Sequence, residues 1–114
     1  MSAALPDPAT SLELLPGEVS ELLPAILHGE IELIDCREDE EWRFNRIEGA
    51  RLVPLTRFAE AAVPDKPTII YCHHGMRSLR ATRYWRSRGN ERVWSMAGGI
   101  DRWSAEVDPA IPAY

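Results

Sequence analysis

The sequence has almost no lysine and very little cysteine. Lys66 is its single lysine, and arginine supplies the rest of the 13 basic residues. The 18 acidic residues leave a net charge of −5, so we expect no nonspecific binding of nucleic acid or of an acidic membrane. Two cysteines, Cys36 and Cys72, are too few for a disulfide framework. We therefore expect two thiols in a reducing compartment, with a cytoplasmic location as the default.

Long apolar runs are also missing. No stretch approaches the roughly 18 consecutive apolar residues of a membrane-spanning helix, so we expect no membrane association. Pro6, Asp7 and Pro8 stand near the start, where a signal peptide would have a basic segment followed by an apolar one. The 114 residues suit one domain. We expect a loosely ordered lead-in at residues 1–10, a single domain at 11–114 and a monomer.

Short apolar segments alternate with helical patterns along the chain. The segments predict strands at residues 12–15, 31–35, 50–53, 68–71 and 92–95. Apolar spacing, capping residues and glycines predict helices at about 16–28, 38–44, 56–62, 78–88 and 99–103. Pro24 should shorten or kink the first helix, and Thr56 should cap the third. The alternation predicts an α/β fold with a mainly parallel sheet.

Several residues have a predicted place in this fold. We expect Trp42 in the core and residues 108–112 in an extended tail. The fourth predicted helix carries an inward stripe with helical spacing, made of Ser78, Ala81, Thr82 and Trp85. The stripe is small near the start of the helix and large farther out. This indicates a helix that begins close to the sheet.

The chemistry concentrates at Cys72, which directly follows the predicted strand at residues 68–71. A turn containing Gly75 comes next, and Arg77 and Ser78 begin the helical pattern. A strand that runs through a tight loop into a helix directs backbone N–H groups and the positive end of the helix dipole toward the loop. These groups and Arg77 favour an ionised thiol. We predict that Cys72 is a nucleophile in an anion-binding loop.

Two further stretches should meet Cys72 at the same edge of the sheet. Asp35-Cys36-Arg37 and Ser95-Met96-Ala97-Gly98 both stand at the carboxyl ends of predicted strands, where sites in parallel sheets form. We expect Asp35 and Arg37 to pair or to brace neighbouring loops. Both are also candidate rim contacts, because Arg37 could touch an anionic substrate. Gly98 and Gly99 should serve the turn rather than bind phosphate.

Four stretches, in order along the chain, resemble motifs of the rhodanese-type sulfurtransferases. They are the loop Cys72-x-x-Gly75-x-Arg77-Ser78, the segment Asp35-Cys36-Arg37-Glu38 with Glu41, the turn Ile47-Glu48-Gly49-Ala50 and the ending Gly98-Gly99-Ile100 with Trp103. Each motif alone is weak evidence, whereas four in order make the resemblance strong. The resemblance extends from about Leu12 to the end of the chain. The resemblance implies a five-stranded, mainly parallel sheet with helices on both faces.

The resemblance also implies covalent catalysis through a persulfide on Cys72. The thiolate would take the outer sulfur of a small anionic donor such as thiosulfate and pass it to cyanide or to a small-molecule or protein thiol. The implied substrate-binding loop consists of His73, His74, Gly75, Met76, Arg77 and Ser78. No cofactor and no metal are implied. We expect no zinc at Cys36, Cys72, His73 and His74, because their spacing matches no closed zinc pattern.

Some positions depart from the family pattern or have an open role. Arg46 stands where histidine is frequent, and Asn90 occupies a position that is usually apolar; we expect both to affect structure or packing only. His73 and His74 are expected at the rim rather than as general bases. Cys36 could resolve the persulfide, or it could be a small buried residue beside the site.

Two other functions stay open. A dual-specificity phosphatase or an arsenate reductase of related fold uses Cys-x5-Arg, whereas four residues separate Cys72 from Arg77. The shorter loop should suit a sulfur atom better than a tetrahedral phosphate. The second alternative is a non-catalytic rhodanese-like module that only binds partners, although inactive versions typically lose the cysteine that this chain retains.

Overall fold

Five short strands form the centre of the protein, whose residues 5–114 are described by a computed structural model. The strands are β1 Glu13–Leu14, β2 Glu32–Asp35, β3 Ala50–Leu52, β4 Thr68–Tyr71 and β5 Val93–Met96. They are ordered β1-β5-β4-β2-β3, and every neighbouring pair is parallel. The predicted five-stranded, mainly parallel sheet is therefore confirmed, and β4, which carries Cys72 at its end, is its central strand.

Helices cover both faces of this sheet. They are α1 Pro16–Glu21, α2 Leu23–Leu27, α3 Asp39–Phe44, α4 Met76–Ser87 and α5 Gly99–Glu106, with a 3-10 helix at Leu55–Glu60. The predicted break at Pro24 is confirmed, because α1 and α2 are separate helices that meet at Leu22. None of the helices within residues 5–114 has the length and apolar character needed to cross a bilayer.

The strands divide their side chains between two cores. Leu33, Ile69 and Tyr71 pack on one face against α1, α2 and α5. Ile34 and Ile70 point to the opposite face, where Phe58 of the 3-10 helix and residues of α4 cover them. The predicted inward stripe of α4 is confirmed, because all four of its residues are buried: Ser78, Ala81, Thr82 and Trp85. Full burial of a Leu, Ile or Phe side chain in these cores contributes roughly 1.5–3 kcal/mol.

Three local predictions were wrong. The segment after Pro54 is a 3-10 helix, and the Thr56 hydroxyl donates to Glu38 Oε1 at 2.7 Å instead of capping it. Trp42 is only half-buried, with the Arg46 guanidinium 4.4 Å from its ring centroid, which is a cation–π contact at the surface. The stretch at 108–111 is a turn rather than extended, since the Ile111 N–H donates to the Asp108 oxygen at 3.1 Å.

The predicted lead-in at residues 1–10 falls partly within the described residues. Residues 1–4 lie outside the described residues. Farther along, Arg86 of α4 donates to the backbone oxygens of Pro8 and Ser11 at 2.9 and 2.8 Å, and Leu5 packs against the first core. These contacts tie residues 5–11 to the body of the protein.

Asn90 holds the loop that leads into β4, which corrects the expectation that it affects packing only. Its amide nitrogen donates to the backbone oxygens of Pro64 and Lys66 at 3.0 Å each. Its side-chain oxygen accepts from the Arg92 N–H at 3.0 Å. A side chain that is 8% exposed thus joins the start of β4 to the start of β5, which an apolar residue of the same size could not do.

We expect Asn90→Leu to lower the free energy of unfolding by about 1–3 kcal/mol, because it removes three hydrogen bonds to backbone groups while keeping the side-chain volume. Urea denaturation measures this difference. The matched control is Glu91→Gln at the exposed neighbouring position, which should change stability by less than about 0.5 kcal/mol. Wild-type stability in Asn90→Leu would show that packing alone matters at this position.

Candidate active site

The sulfur of Cys72 lies inside the loop that joins β4 to α4. The N–H groups of Gly75 and Ser78 point at Sγ, with nitrogen–sulfur distances of 3.1 and 3.4 Å. Gly75 caps α4 in the left-handed region, with φ of 104°, which favours glycine. A Cβ at this position would also lie 3.2 Å from the Gly98 nitrogen. The loop therefore needs glycine at position 75 in order to wrap its amides around the sulfur.

A buried pair of hydroxyls supports the same sulfur. The Ser78 oxygen is 3.5 Å from Cys72 Sγ and 2.7 Å from the Ser95 oxygen on β5. Both serines are fully buried. Ser78 belongs to the predicted loop, whereas Ser95 was predicted only as part of a stretch at this edge of the sheet. The alternation of side chains along β5 could have indicated that Ser95 points toward this site.

The environment of Cys72 stabilises its thiolate. The neighbouring Cys36 thiol, the Ser78 hydroxyl and the N–H groups of Ser78 and Gly75 lower the pKa of Cys72 to about 5, although burial opposes them. The neighbouring Cys72 sulfur and burial raise the pKa of Cys36. These contacts favour an ionised Cys72 sulfur next to a neutral Cys36 thiol, and an ionised sulfur is the nucleophilic form.

Arg77 connects the loop to α3. Its two terminal nitrogens donate to the two carboxylate oxygens of Glu41 at 2.7 and 2.9 Å. The Tyr114 hydroxyl donates to the same carboxylate at 2.6 Å. The Arg77 hydrogen bonds, followed by that of Tyr114, lower the pKa of Glu41 to about 2, against the effect of burial. This bidentate pair fixes the first turn of α4 and holds a positive charge beside the loop.

Asp35 and Arg37 lie beneath the loop rather than at its rim. Both side chains are 0% exposed, and they pair at 2.7 Å, as expected. The Arg37 guanidinium also donates to the side-chain and backbone oxygens of Asn45, at 2.7 Å each, and to the Tyr114 hydroxyl at 2.9 Å. Arg37 has no exposed surface with which to touch a donor anion. The expected substrate contact is corrected to a bracing contact between loops.

His73 and His74 occupy the outer side of the loop. His73 is half-buried and stacks on Tyr114, with ring centroids 3.8 Å apart and planes 5° apart. His74 is exposed, and its Nε2 lies 3.9 Å from a carboxylate oxygen of Asp101. One ligand atom from each of His73, His74 and Asp101 lies within 4.8 Å of the others. This set could hold a metal ion, and it differs from the cysteine-containing set considered from the sequence.

Tyr114 is the residue that sequence reasoning missed. It contacts Arg37, Glu41 and His73, so it links the buried ion pair, α3 and the outer side of the loop. No spacing in the sequence connects position 114 with Arg37, Glu41 and His73, because these contacts arise only when the tail folds back.

The side chain of Met76, another predicted loop residue, is 74% exposed and forms part of the rim.

The start of α5 anchors the loop from below. The N–H groups of Ile100 and Asp101 donate to the backbone oxygens of Cys72 and His73 at 2.8 and 3.1 Å. Gly98 and Gly99 have φ of 74° and 62°, and a Cβ on Gly99 would lie 2.4 Å from the Cys72 oxygen. The two glycines allow this close backbone approach.

Comparison with known proteins identifies relatives of this chain. A family model described as Rhodanese-like domain matches residues 18–106. The thiosulfate sulfurtransferase GlpE of Haemophilus influenzae is 32% identical over 85 residues, which are 72% of this chain and 81% of GlpE. The chloroplastic rhodanese-like/PpiC domain-containing protein 12 of Arabidopsis thaliana is 32% identical over 102 residues, which are 83% of this chain. The chain spans only 34% of the plant protein.

A solved structure shares the fold. The human single-domain sulfurtransferase TSTD1 superimposes with a TM-score of 0.74 at 23% identity, covering 84% of this chain and 97% of TSTD1. At this identity the likeness concerns the fold.

The low pKa of Glu41 makes stability depend on pH. A carboxyl group with a depressed folded-state pKa stabilises the fold above its ordinary value and loses that contribution as pH falls through the folded value. We expect Glu41→Gln to be about 1–3 kcal/mol less stable than wild type at pH 7, and the difference should vanish between about pH 4.5 and pH 2. Urea denaturation at several pH values measures it.

The control for this prediction is Glu106→Gln, which removes an exposed pair with Arg102 on α5 and should cost less than about 1 kcal/mol. A Glu41→Gln deficit that stayed constant from pH 7 to pH 2 would mean that the lost contact is not electrostatic.

Proposed function

The chain belongs to the rhodanese-like domain family, and from this premise we propose that it is a sulfurtransferase that carries sulfur as a persulfide on Cys72. The observation that carries the proposal is the pair of N–H groups, from Gly75 and Ser78, directed at the Cys72 sulfur. They favour a thiolate at neutral pH, which is the reactive form of the side chain. The same donors suit a persulfide, whose charge also needs stabilisation.

The proposed reaction has two displacement steps. The Cys72 thiolate attacks the outer sulfur of thiosulfate, the new S–S bond forms, and sulfite leaves with the electron pair of the bond that breaks. Cyanide or a thiolate acceptor then attacks the terminal sulfur of the persulfide. Thiocyanate or an acceptor persulfide forms, and the Cys72 thiolate is regenerated with its electron pair. Neither step requires a proton to be removed from Cys72.

The size of the site supports sulfur as the cargo. Cys72 is only 1% exposed, and four residues separate it from Arg77. A single sulfur atom adds little volume at Sγ, whereas a phosphate ester would bring four oxygens into the same loop. Arg77 is already engaged by Glu41. We propose that it orients the loop and contributes positive potential without binding the donor directly.

The partners follow from this chemistry. The proposed donor is a small anion with a sulfane sulfur, such as thiosulfate, and the acceptor is cyanide in an assay or a small-molecule or protein thiol. We propose a monomer that acts without cofactor, metal, nucleic acid or membrane. A cytoplasmic location belongs to the same proposal, because a reducing compartment keeps Cys36 and Cys72 as thiols.

Intact mass spectrometry after incubation with thiosulfate tests the proposal. We expect the protein to gain one sulfur atom, to release sulfite and to lose the added sulfur when cyanide is supplied. Cys72→Ala should gain no sulfur, because it lacks the attacking atom. Cys36→Ser should still gain it, which assigns the sulfur to Cys72 rather than to the second thiol.

Two outcomes would replace this function with another. Efficient cleavage of an aryl phosphate without sulfite release would identify a phosphatase. A protein that neither gains sulfur nor cleaves the phosphate, while Cys72→Ala retains its full cellular role, would identify a binding module.

A further inference from the structure

The register of two neighbouring strands places Cys36 beside Cys72. Ile34 of β2 pairs with Ile70 of β4, and Asp35 pairs with Tyr71. The ladder continues for one more bond, because the Cys36 N–H donates to the Tyr71 oxygen at 3.0 Å. Cys72 directly follows Tyr71, so Cys36 and Cys72 occupy paired positions just beyond the ends of β2 and β4.

Both cysteines also face the same side of the sheet. Side chains alternate along a strand, and Cys36 and Cys72 belong to the same core as Ile34 and Ile70, two positions earlier. The exposed fractions of Cys36 and Cys72 are 0% and 1%. The two side chains thus lie side by side in a dry environment, where a hydrogen bond to a charged acceptor is stronger than in water.

We propose that Cys36 is a positioning residue that donates its S–H to the Cys72 sulfur and thereby stabilises the thiolate. The inference rests on the proposed function, since it concerns the same nucleophile. The backbone holds the donor in place. The Cys36 N–H donates to the Tyr71 oxygen, and the Cys36 oxygen accepts from the Leu55 N–H, at 3.0 Å each. The low pKa of Cys72 agrees, because the neighbouring Cys36 thiol is the largest of its causes.

The surroundings decide which of the two sulfurs carries the proton. Cys72 receives the N–H groups of Gly75 and Ser78. Cys36 is buried and has the carboxylate of Asp35 as a neighbour, and both raise its pKa. Arg77, in the first turn of α4, also acts on Cys36, and its positive charge opposes the rise of the Cys36 pKa.

The hydrogen bond would serve both halves of the transfer. In the first step it keeps Cys72 ionised for attack on the donor. In the second step Cys72 is the leaving group, and a thiolate of lower pKa leaves faster from a persulfide or disulfide. A lower pKa also makes a thiolate intrinsically less nucleophilic, so the main gain is expected in the release of sulfur to the acceptor.

Alkylation of Cys72 by iodoacetamide, followed across pH by peptide mass mapping, tests this role without requiring turnover. The two informative variants are Cys36→Ala, which has no donor, and Cys36→Ser, which keeps one in a side chain of nearly the same size. We expect the alkylation midpoint to rise by about one to two pH units in Cys36→Ala. In Cys36→Ser it should stay within about half a unit of wild type.

The rate of sulfur transfer to cyanide from the preloaded persulfide should fall in Cys36→Ala and recover in Cys36→Ser. Cys36→Val, which fills the space without donating, replaces Cys36→Ala if the latter does not fold. A wild-type midpoint near 5 that is unchanged in the donor-free variant would overturn the role of Cys36 and leave the proposed function standing. A wild-type midpoint near the ordinary thiol value of about 8.5 would overturn both. An equal shift in Cys36→Ser and Cys36→Ala would show that volume, not hydrogen bonding, matters.

Discussion

Hydrogen bonds from backbone N–H groups to one sulfur are the interaction on which the site depends. They require the loop to turn back over Cys72, and the left-handed conformation of Gly75 provides that turn. The conformation is maintained from several sides. The start of α5 binds the carbonyl oxygens of Cys72 and His73, and Arg77 ties the first turn of α4 to Glu41. Ionisation of the thiol is thus a property of the whole strand–loop–helix unit.

A buried ion pair supports the neighbouring loop. Burial of two charges costs several kcal/mol per ion, which only good geometry and additional hydrogen bonds offset. Arg37 has these partners in Asp35, Asn45 and Tyr114. The arrangement therefore indicates a fixed position for the loop after β2 more than a gain in stability. Cys36 lies between the two members of this pair in the chain, so the same contacts hold its backbone beside Cys72.

The sequence predicted what local patterns determine and missed what only tertiary contacts determine. The strand pattern at residues 68–71, the turn at Gly75 and the inward stripe of α4 are local, and all are present. The burial of Arg37, the hydrogen bonds of Asn90 and the position of Tyr114 depend on segments far apart in the chain. Thr56 and Trp42 carried plausible local signals that distant or surface partners overrode. The edge of the sheet at which the site forms was predictable, whereas the depth of each side chain was not.

The close backbone contact between Gly99 and the Cys72 oxygen leaves the loop little freedom to move. A carrier held this firmly cannot swing its cargo outward, so under the proposed function delivery depends on the reach of the recipient. A small ion can enter by diffusion. A folded recipient would have to bring its thiol close to a buried sulfur, past a loop whose His74 and Met76 side chains are exposed. Rigidity in the carrier would thus turn the shape of the recipient into the main determinant of which molecule receives sulfur.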